Sequence, residues 1–199
     1  ESMMEEISEE AVRIGVSVLG GHTEVTTAVT RMVLSVTALG KVPVGELIST
    51  AGAKPGDYLY MSKTAALEGT VIIAGEKSAH LQGLLSPENI EELEILKKSL
   101  SVMPEGRIGR KVGVSAMHDV TEGGILGAVW EICEASGTGC TLWGAEIAIA
   151  EVTRRLAEIF DFNPLNMIGS GCMLMTISPE KAQMLEAEAL REGVALRRI

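Results

Sequence analysis

Apolar residues in several stretches of the chain recur every three or four positions, which is the period of an amphipathic helix. The first stretch covers residues 7–18, and Gly20 and Gly21 follow it as a stop signal. Two later stretches begin with Ser-Pro-Glu, at residues 86–88 and 178–180. Serine is a preferred N-cap and proline suits the first turn, so both tripeptides predict helix starts. Two further helices are predicted from the apolar sets Ile125, Val129, Ile132, Cys133 and Val152, Leu156, Ile159.

Other apolar runs are shorter and rich in the residue types that favour strands. The run TRMVLSVTAL, residues 30–39, is rich in Val, Thr and Leu and predicts a strand buried on both faces. Further strands are predicted at DYLYM (57–61), KVGVSAM (111–117), GCMLMTI (171–177) and the final LRRI (196–199). The segment LEGTVIIAGE, residues 67–76, fits either a helix or a strand. This mixture of helices and strands predicts an α+β protein.

A loop-rich stretch separates the first predicted strand from the rest of the chain. Residues 40–57 contain several glycines and two prolines, which interrupt regular structure, and we interpret them as a domain boundary. The chain begins with Glu1 instead of methionine and ends within a predicted strand. We therefore expect it to be a fragment of a longer protein.

Composition and charge narrow the class of protein. Of the 199 residues, 46% are hydrophobic and 22% are charged, as in ordinary globular proteins. The net charge of −10 argues against nucleic acid and anionic membranes as partners, because both attract clustered lysine and arginine. No apolar run reaches the roughly 18 residues of a membrane span. The three cysteines include no CxxC pair, so we expect reduced thiols in a cytoplasmic protein.

The stretch SAMHDVTEGGILGAV, residues 115–129, joins a predicted strand to a predicted helix through polar residues and two glycines. His118 and Asp119 end the strand, where either could bind a substrate or Mg²⁺. Backbone N–H groups near Gly123 and Gly124 would suit a phosphate, since the start of a helix attracts anions. A capping residue with a tight turn explains the same pattern without any ligand, and spacing alone favours that alternative.

A second polar stretch, GGHTEVTT, follows the first predicted helix. Gly20 and Gly21 precede His22, Thr23 and Glu24. Hydroxyl and carboxylate oxygens in this arrangement could bind Mg²⁺ and phosphate, because Mg²⁺ prefers oxygen ligands. The alternative is a polar loop between a helix and a strand.

Two other segments carry weaker signals. Lys63 follows a short predicted strand and could neutralise a phosphate, although a solvated lysine is the commoner case. The triplet 169–171, Gly-Ser-Gly, allows a close approach of backbone to a ligand or is only a turn. The sequence lacks GxxxxGK[ST], a GxGxxG between a strand and a helix, GxSxG and HExxH, which argues against the nucleotide-binding, hydrolase and metalloprotease classes with those motifs.

Four blocks together, GGHTEV, KTAALEGTVIIA, MHDVTEGGILGAVWEICEASG and GSGCMLMTI, resemble the AIR synthase (PurM) superfamily. Their order and spacing are most similar to the AIR synthase-related branch that includes the hydrogenase-maturation protein HypE. The resemblance implies a PurM-like α+β fold. Residues 1–42 would be the end of an N-terminal ATP-binding, dimerising domain. Residues 43–199 would be the C-terminal domain, with a mixed or antiparallel sheet and helices on one face.

The resemblance also implies chemistry: ATP-dependent activation of an amide or carbamoyl oxygen by phosphoryl transfer, with Mg²⁺. It gives catalytic roles to His118, Asp119 and Glu122, and metal ligation to Glu24 and Asp119. Nucleotide contacts are expected at Gly20, Gly21, His22, Thr23, Glu24, Lys63, Gly123 and Gly124. Expected partners are ATP, a small amide or carbamoyl substrate, a second copy of the chain and a maturation protein.

Departures from the family pattern leave alternatives open. The aspartate-rich ATP motif and the cysteine-bearing tail of hydrogenase-maturation members are not in this sequence, so the fragment by itself is expected to be inactive. A thiamine-monophosphate-kinase-like phosphotransferase is one alternative, although related kinases usually have aspartate where His22 stands. An AIR cyclo-ligase is another, although KTAALEG replaces a serine-rich phosphate turn. The third is a non-catalytic dimerising scaffold.

Overall fold

The computed structural model describes residues 2–199 and divides the chain into two compact units, with the division between Lys41 and Val42. In the first unit, helix α1 spans Ser2–Ile14. It ends four residues earlier than the periodicity predicts, because Gly15 adopts a left-handed conformation with φ +74° and terminates the helix. Residues 16–41 form neither helix nor strand.

The strand predicted at residues 30–39 is wrong. Its apolar side chains are exposed, Met32 and Val33 by 73% each. A strand is stable only when neighbouring strands satisfy its backbone hydrogen bonds, and residues 2–41 contain no other strand that could pair with it. Local composition therefore favoured a strand that has no partner among the described residues.

The second unit is built around a four-stranded antiparallel sheet. Its strands are β1 (Tyr58–Ser62), β2 (Ala116–Asp119), β3 (Met173–Ile177) and β4 (Leu196–Arg198), in the order β2-β3-β1-β4. Every neighbouring pair is antiparallel, which confirms the α+β class and gives an antiparallel sheet. Strand β2 lies at one edge, and its last residue, Asp119, pairs with Met173.

Six helices accompany the sheet: α2 (Leu67–Glu76), α3 (Pro87–Lys97), α4 (Met103–Val112), α5 (Gly124–Ser136), α6 (Glu151–Phe160) and α7 (Ala182–Arg191). The ambiguous segment 67–76 is thus a helix. The predicted start of α3 is confirmed, since Ser86 accepts a hydrogen bond from the Asn89 N–H and forms a capping box with it. None of the helices in residues 2–199 combines the length and hydropathy needed to cross a bilayer.

Helix α4 was not predicted from the sequence, and it corrects one predicted strand. The run 111–117 was expected to be extended, yet Lys111 and Val112 close α4, and β2 begins only at Ala116. Two glycines within α4 lower its intrinsic helix propensity. Gly109 is needed there for packing, because a Cβ at this position would lie 2.3 Å from the Met117 sulfur.

Helices cover both faces of the sheet, where only one covered face was expected. Along β3, Met175 packs in a cluster with Ile108 of α4 and Leu185 of α7. The neighbouring residue of β3, Leu174, points the other way and packs with Ile125 of α5. Alternate residues of a strand point to opposite faces, so the two clusters lie on opposite sides of the sheet. A third cluster joins α2, α3 and α6.

Candidate functional site

The candidate site lies in the turn between β2 and α5. The main chain turns after Asp119, and buried Val120 anchors the turn by donating its N–H to the Cys172 carbonyl oxygen at 3.0 Å. Asp119 and Glu122 remain exposed on either side of this anchor. Within residues 2–199 neither carboxylate has a hydrogen bond or an ion pair. Two exposed carboxylates, three residues apart in sequence, therefore flank an anchored turn.

The glycine pair after this turn has a packing reason. Gly124 adopts φ +62°, and a Cβ there would lie 2.5 Å from the Leu165 carbonyl oxygen. A Cβ on Gly123 would lie 2.9 Å from the Cα of Gly127. The N–H of Leu126 already donates to Leu165 at 3.2 Å, so the segment near residue 165 occupies part of the helix start. The tight-turn alternative accounts for both glycines, and their contact with a phosphate stays a prediction.

His118 is held at both ring nitrogens. Its Nδ1 lies 3.2 Å from the Thr50 hydroxyl oxygen, and its Nε2 hydrogen-bonds a carboxylate oxygen of Glu131 on α5. The His118 side chain is 20% exposed and the Glu131 side chain 49%. His118 is thus fixed in orientation by two groups that sequence reasoning missed.

Thr50 belongs to a segment that lies along the free edge of β2. The Met117 N–H donates to the Ser49 carbonyl oxygen at 3.3 Å. The Ser136 hydroxyl of α5 donates to the Thr50 carbonyl oxygen at 3.2 Å and accepts the Ala53 N–H at 3.1 Å. Residues 49–53, predicted as loop, therefore form an ordered strap between β2 and α5.

Lys63 is bound inside the protein. Its ammonium donates to the carbonyl oxygens of Ser99, Ser101 and Gly171 at 2.9, 2.7 and 2.8 Å. One carboxylate oxygen of Glu105, which is completely buried, lies 2.9 Å from the same nitrogen. An ammonium has three protons, so three carbonyls already use its donors. A phosphate contact by Lys63 stays a prediction, whereas a structural role is directly visible.

The thiol of Cys172 is buried close to this ion pair. Burial raises its pKa to about 12, and the positive charge of Lys63 offsets this only in part. The thiol is consequently protonated and unreactive at neutral pH.

The GGHTE motif lies in the first unit. Adding a Cβ to Gly20 or Gly21 would meet no atom within 4 Å, so both glycines are in open surroundings. His22 Nε2 is 3.9 Å from a carboxylate oxygen of Glu24, and both side chains are exposed. Within residues 2–199, no three His, Cys, Asp or Glu side chains are grouped so that they could bind one metal ion. The predicted ligands Glu24 and Asp119 lie in different units.

A cavity of about 580 Å³ lies near the other edge of the sheet, at β4. It is lined by Trp143, Glu146, Glu186, Arg197 and Arg198. None of the predicted site residues lines it, so the cavity gives no support to their assignment.

Curated relatives match most of the chain. The carbamoyl dehydratase HypE of Cupriavidus necator is 26% identical over 187 residues, which are 93% of this chain and 51% of that protein. The hydrogenase expression/formation protein HupE of Azotobacter chroococcum is 23% identical over 192 residues, covering 96% of this chain and 54% of that protein. A selenide, water dikinase of Caldanaerobacter subterraneus is 31% identical over 160 residues, covering 79% and 41%. The chain thus spans about half the length of these relatives.

Solved structures share the fold. Escherichia coli HypE superposes with a TM-score of 0.66 at 21% identity, covering 80% of this chain and 48% of that one. A HypE solved in complex with ATP gives a TM-score of 0.60 at 18% identity, covering 80% and 46%. A HypE–HypF complex gives 0.55 at 20% identity, covering 76% and 48%. These likenesses establish a PurM-like, HypE-like fold.

The family assignment rests on the second unit. Residues 54–199, most of the chain, match the family model described as AIR synthase related protein, C-terminal domain. That range contains the four-stranded sheet, the β2–α5 turn with its two free carboxylates, and the Lys63–Glu105 ion pair. The chain therefore belongs to the AIR synthase-related family and carries its C-terminal domain.

Proposed function

We propose that this chain contributes to an ATP-dependent enzyme that activates an amide or carbamoyl oxygen by phosphoryl transfer, as a HypE-like carbamoyl dehydratase. The observation that carries the proposal is the similarity to HypE over 93% of the chain. The match extends beyond the C-terminal domain, since the family model covers only residues 54–199. Both the GGHTE and the HDVTEGG regions therefore take part in the comparison.

The free carboxylates at the β2–α5 turn give this proposal its chemistry. Phosphoryl transfer depends mainly on positioning and on neutralising charge. Asp119 and Glu122, both exposed and unpaired within residues 2–199, are available to orient a substrate or a metal ion. His118 beside them is fixed by its neighbours and would help to orient the substrate.

The nucleotide side of the site is proposed on the first unit. Gly20, Gly21, His22 and Thr23 would contact ATP, with the backbone open around both glycines. Glu24 of the first unit and Asp119 of the second are each a proposed Mg²⁺ ligand. Mg²⁺ is commonly bound through one or two carboxylates together with the phosphates of the substrate. A bound Mg²⁺ would supply charge neutralisation at the transferred phosphate.

The domain division and the assembly are part of the same proposal. Residues 1–42 would belong to an ATP-binding, dimerising domain and residues 43–199 to the C-terminal domain. A homodimer and a maturation partner are proposed; one neighbouring structure is a HypE–HypF complex. The cytoplasm is the proposed location, in keeping with thiols at Cys133, Cys140 and Cys172 that are all free.

A second candidate is ATP-dependent phosphotransfer without dehydration. The 31% identity to a selenide, water dikinase favours it, because this value exceeds those of the HypE relatives described above. The aligned region is shorter, 160 residues against 187. We therefore keep dehydration of a carbamoyl group as the leading function.

Products distinguish the two candidates. The whole gene product is incubated with MgATP and a protein or peptide carrying a carbamoylated thiol. Dehydration converts the carboxamide to a nitrile while ATP becomes ADP and phosphate, because the oxygen leaves as part of the phosphate. Phosphate release in equal amount to nitrile supports the dehydratase. ATP hydrolysis that depends on selenide and not on the carbamoyl group would contradict the dehydratase proposal and support the second candidate.

Asp119→Asn supplies the matched variant for this assay. We expect turnover to fall about 100-fold or more, since a charged group at the transfer site contributes several kcal/mol. The melting temperature should stay within a few degrees, because the carboxylate has no partner in residues 2–199. The control Glu134→Gln, an exposed acidic residue on α5, should retain activity. Full turnover by Asp119→Asn would refute the assigned role.

A further inference from the structure

His118 links two elements that are far apart in the sequence. Thr50 is 68 residues before it and contacts Nδ1, while Glu131 is 13 residues after it and contacts Nε2. One partner is a hydroxyl, which both donates and accepts hydrogen bonds. The other is a carboxylate, which only accepts when ionised. This asymmetry restricts where the protons of the ring can be.

One tautomer of the neutral ring satisfies every group. Its Nε2–H donates to Glu131 and its Nδ1 accepts the hydroxyl proton of Thr50. The Thr50 hydroxyl oxygen also lies 3.5 Å from the Met117 carbonyl oxygen. The opposite neutral tautomer would place the lone pair of Nε2 against the Glu131 carboxylate, and the two would repel each other.

We propose that Thr50 and Glu131 are positioning residues that hold His118 as its Nε2–H tautomer, with Nδ1 as its only proton-accepting atom. The hydroxyl–imidazole–carboxylate arrangement thus fixes which ring nitrogen carries the proton. A carboxylate that fixes the tautomer of a catalytic histidine acts in the same way in hydrolase triads.

Surrounding contacts hold the two partners in place. Thr50 is part of the strap at 49–53, which Ser136 fixes through two hydrogen bonds. Gly52 lies so close to β2 that a Cβ would be 1.8 Å from the Ser115 carbonyl oxygen. Glu131 projects from the second turn of α5, the helix that begins at the site. The ring is therefore oriented by rigid elements on both sides, immediately beside Asp119.

The tautomer is measurable without activity. Long-range ¹H–¹⁵N correlation on the ¹⁵N-labelled 199-residue chain, at alkaline pH where imidazole is neutral, reports which ring nitrogen carries the proton. The three histidines, His22, His80 and His118, give separable signals, and His118→Gln assigns the relevant one. We expect Nε2 protonated and Nδ1 unprotonated. A ring that averages between tautomers, or carries the proton on Nδ1, overturns the proposal.

Variants identify which partner acts. Glu131→Ala should shift His118 towards a mixture of tautomers. Glu134→Ala, about one turn further along α5, should leave the ring signals of His118 unchanged. Thr50→Val should move only the Nδ1 resonance and Thr50→Ser should restore it. Thermal melting of each variant shows whether it is folded. Unchanged ring signals in Glu131→Ala, with the fold intact, would overturn the role of Glu131.

The link from tautomer to chemistry rests on the proposed function. In the whole gene product, Glu131→Ala and Thr50→Val should lower kcat about 10- to 100-fold with little change in the KM for MgATP. Activity that survives Glu131→Ala in full would overturn the positioning role while leaving the proposed function standing. Absence of activity in the unsubstituted protein would refute the proposed function, and the NMR measurement would still decide the tautomer.

Discussion

The ammonium of Lys63 and the carboxylate of Glu105 form an ion pair, 2.9 Å apart, in which the Glu105 side chain is completely buried. Lys63 stands directly after β1 with a left-handed φ of +51°, a conformation that is unfavourable for a residue with a Cβ. Its ammonium also donates hydrogen bonds to three carbonyl groups from two segments, residues 99–101 and Gly171. The strain at Lys63 is thus offset by a cation that joins β1, the start of α4 and the turn before β3.

Removing that cation should strongly destabilise the protein. Lys63→Met leaves Glu105 buried without a counter-charge, and such a loss costs about 3–5 kcal/mol of unfolding free energy. The double variant Lys63→Met/Glu105→Met should recover part of the loss, because it removes the uncompensated charge as well. Urea unfolding followed by circular dichroism measures both.

The surface pair Lys97–Glu94 is the matched control for this experiment. Its two side chains are 42% and 54% exposed, so Lys97→Met should cost less than about 1 kcal/mol. A Lys63→Met variant as stable as Lys97→Met would contradict the structural role of Lys63 and favour its predicted contact with a phosphate.

Helix α6 receives its N-terminal cap from another helix. Its own N-cap, Ala150, has no side-chain acceptor, and Glu92 of α3 accepts the N–H groups of Glu151 and Val152 at 3.2 and 2.7 Å. Glu92→Ala should therefore lower the unfolding free energy by about 0.5–2 kcal/mol. The neighbouring Glu91→Ala, on the exposed side of α3, should be close to neutral in the same denaturation assay. Equal effects of the two substitutions would argue against the cap.

Two glycines of α5 should respond oppositely to alanine. Gly124→Ala places a Cβ in a left-handed conformation and 2.5 Å from a carbonyl oxygen, so it should destabilise by at least about 1–2 kcal/mol. Gly127→Ala meets nothing within 4 Å and should stabilise by about 0.5–1 kcal/mol, because alanine is the better helix former. Melting temperatures of both variants test the pair. A tolerated Gly124→Ala would contradict the backbone geometry at the candidate site.

Acid stability should depend on Glu188, which joins α4 to α7. Hydrogen bonds from Arg191 and Lys111 lower the pKa of the Glu188 carboxyl to about 2. A carboxyl with a depressed pKa stabilises the fold fully above its unfolded-state value of 4.5, and the contribution is lost as the pH falls towards 2. Glu188→Gln should therefore flatten the decline of the melting temperature between these two pH values. Glu134→Gln, at an exposed position of α5, provides the comparison and should leave the decline unchanged.

The sequence by itself predicted the elements whose formation depends mainly on residues close together in the chain. Ser86 and Pro87 mark the start of α3 because a cap needs only a hydroxyl and the N–H three residues later. The apolar spacing of Ile125, Val129 and Ile132 predicts α5 because a helix face needs only the period of its own side chains. The motif around Asp119 was placed correctly at the end of a strand.

Elements that depend on distant partners were decided by the tertiary structure. Residues 30–39 have a strand composition, yet no strand in residues 2–41 pairs with them. Helix α4 was missed, although Pro104 near its start and Gly113 at its end are local boundary signals. Its two internal glycines lower the helix propensity, and Ile108 and Val112 stabilise it by packing against the sheet. Strand pairing cannot be derived from a local window, since it is a property of the assembled core.

The candidate site shows the same division. The sequence determined that His118, Asp119 and the glycine pair lie at one strand-to-helix turn, because these residues are contiguous. Only the tertiary structure brought Thr50 and Glu131 to the two nitrogens of His118, and Glu105 to Lys63. Hydrogen bonds and ion pairs act over a few ångströms whatever the separation along the chain. The partners of a functional side chain are therefore set by the fold, and the side chain itself by the sequence.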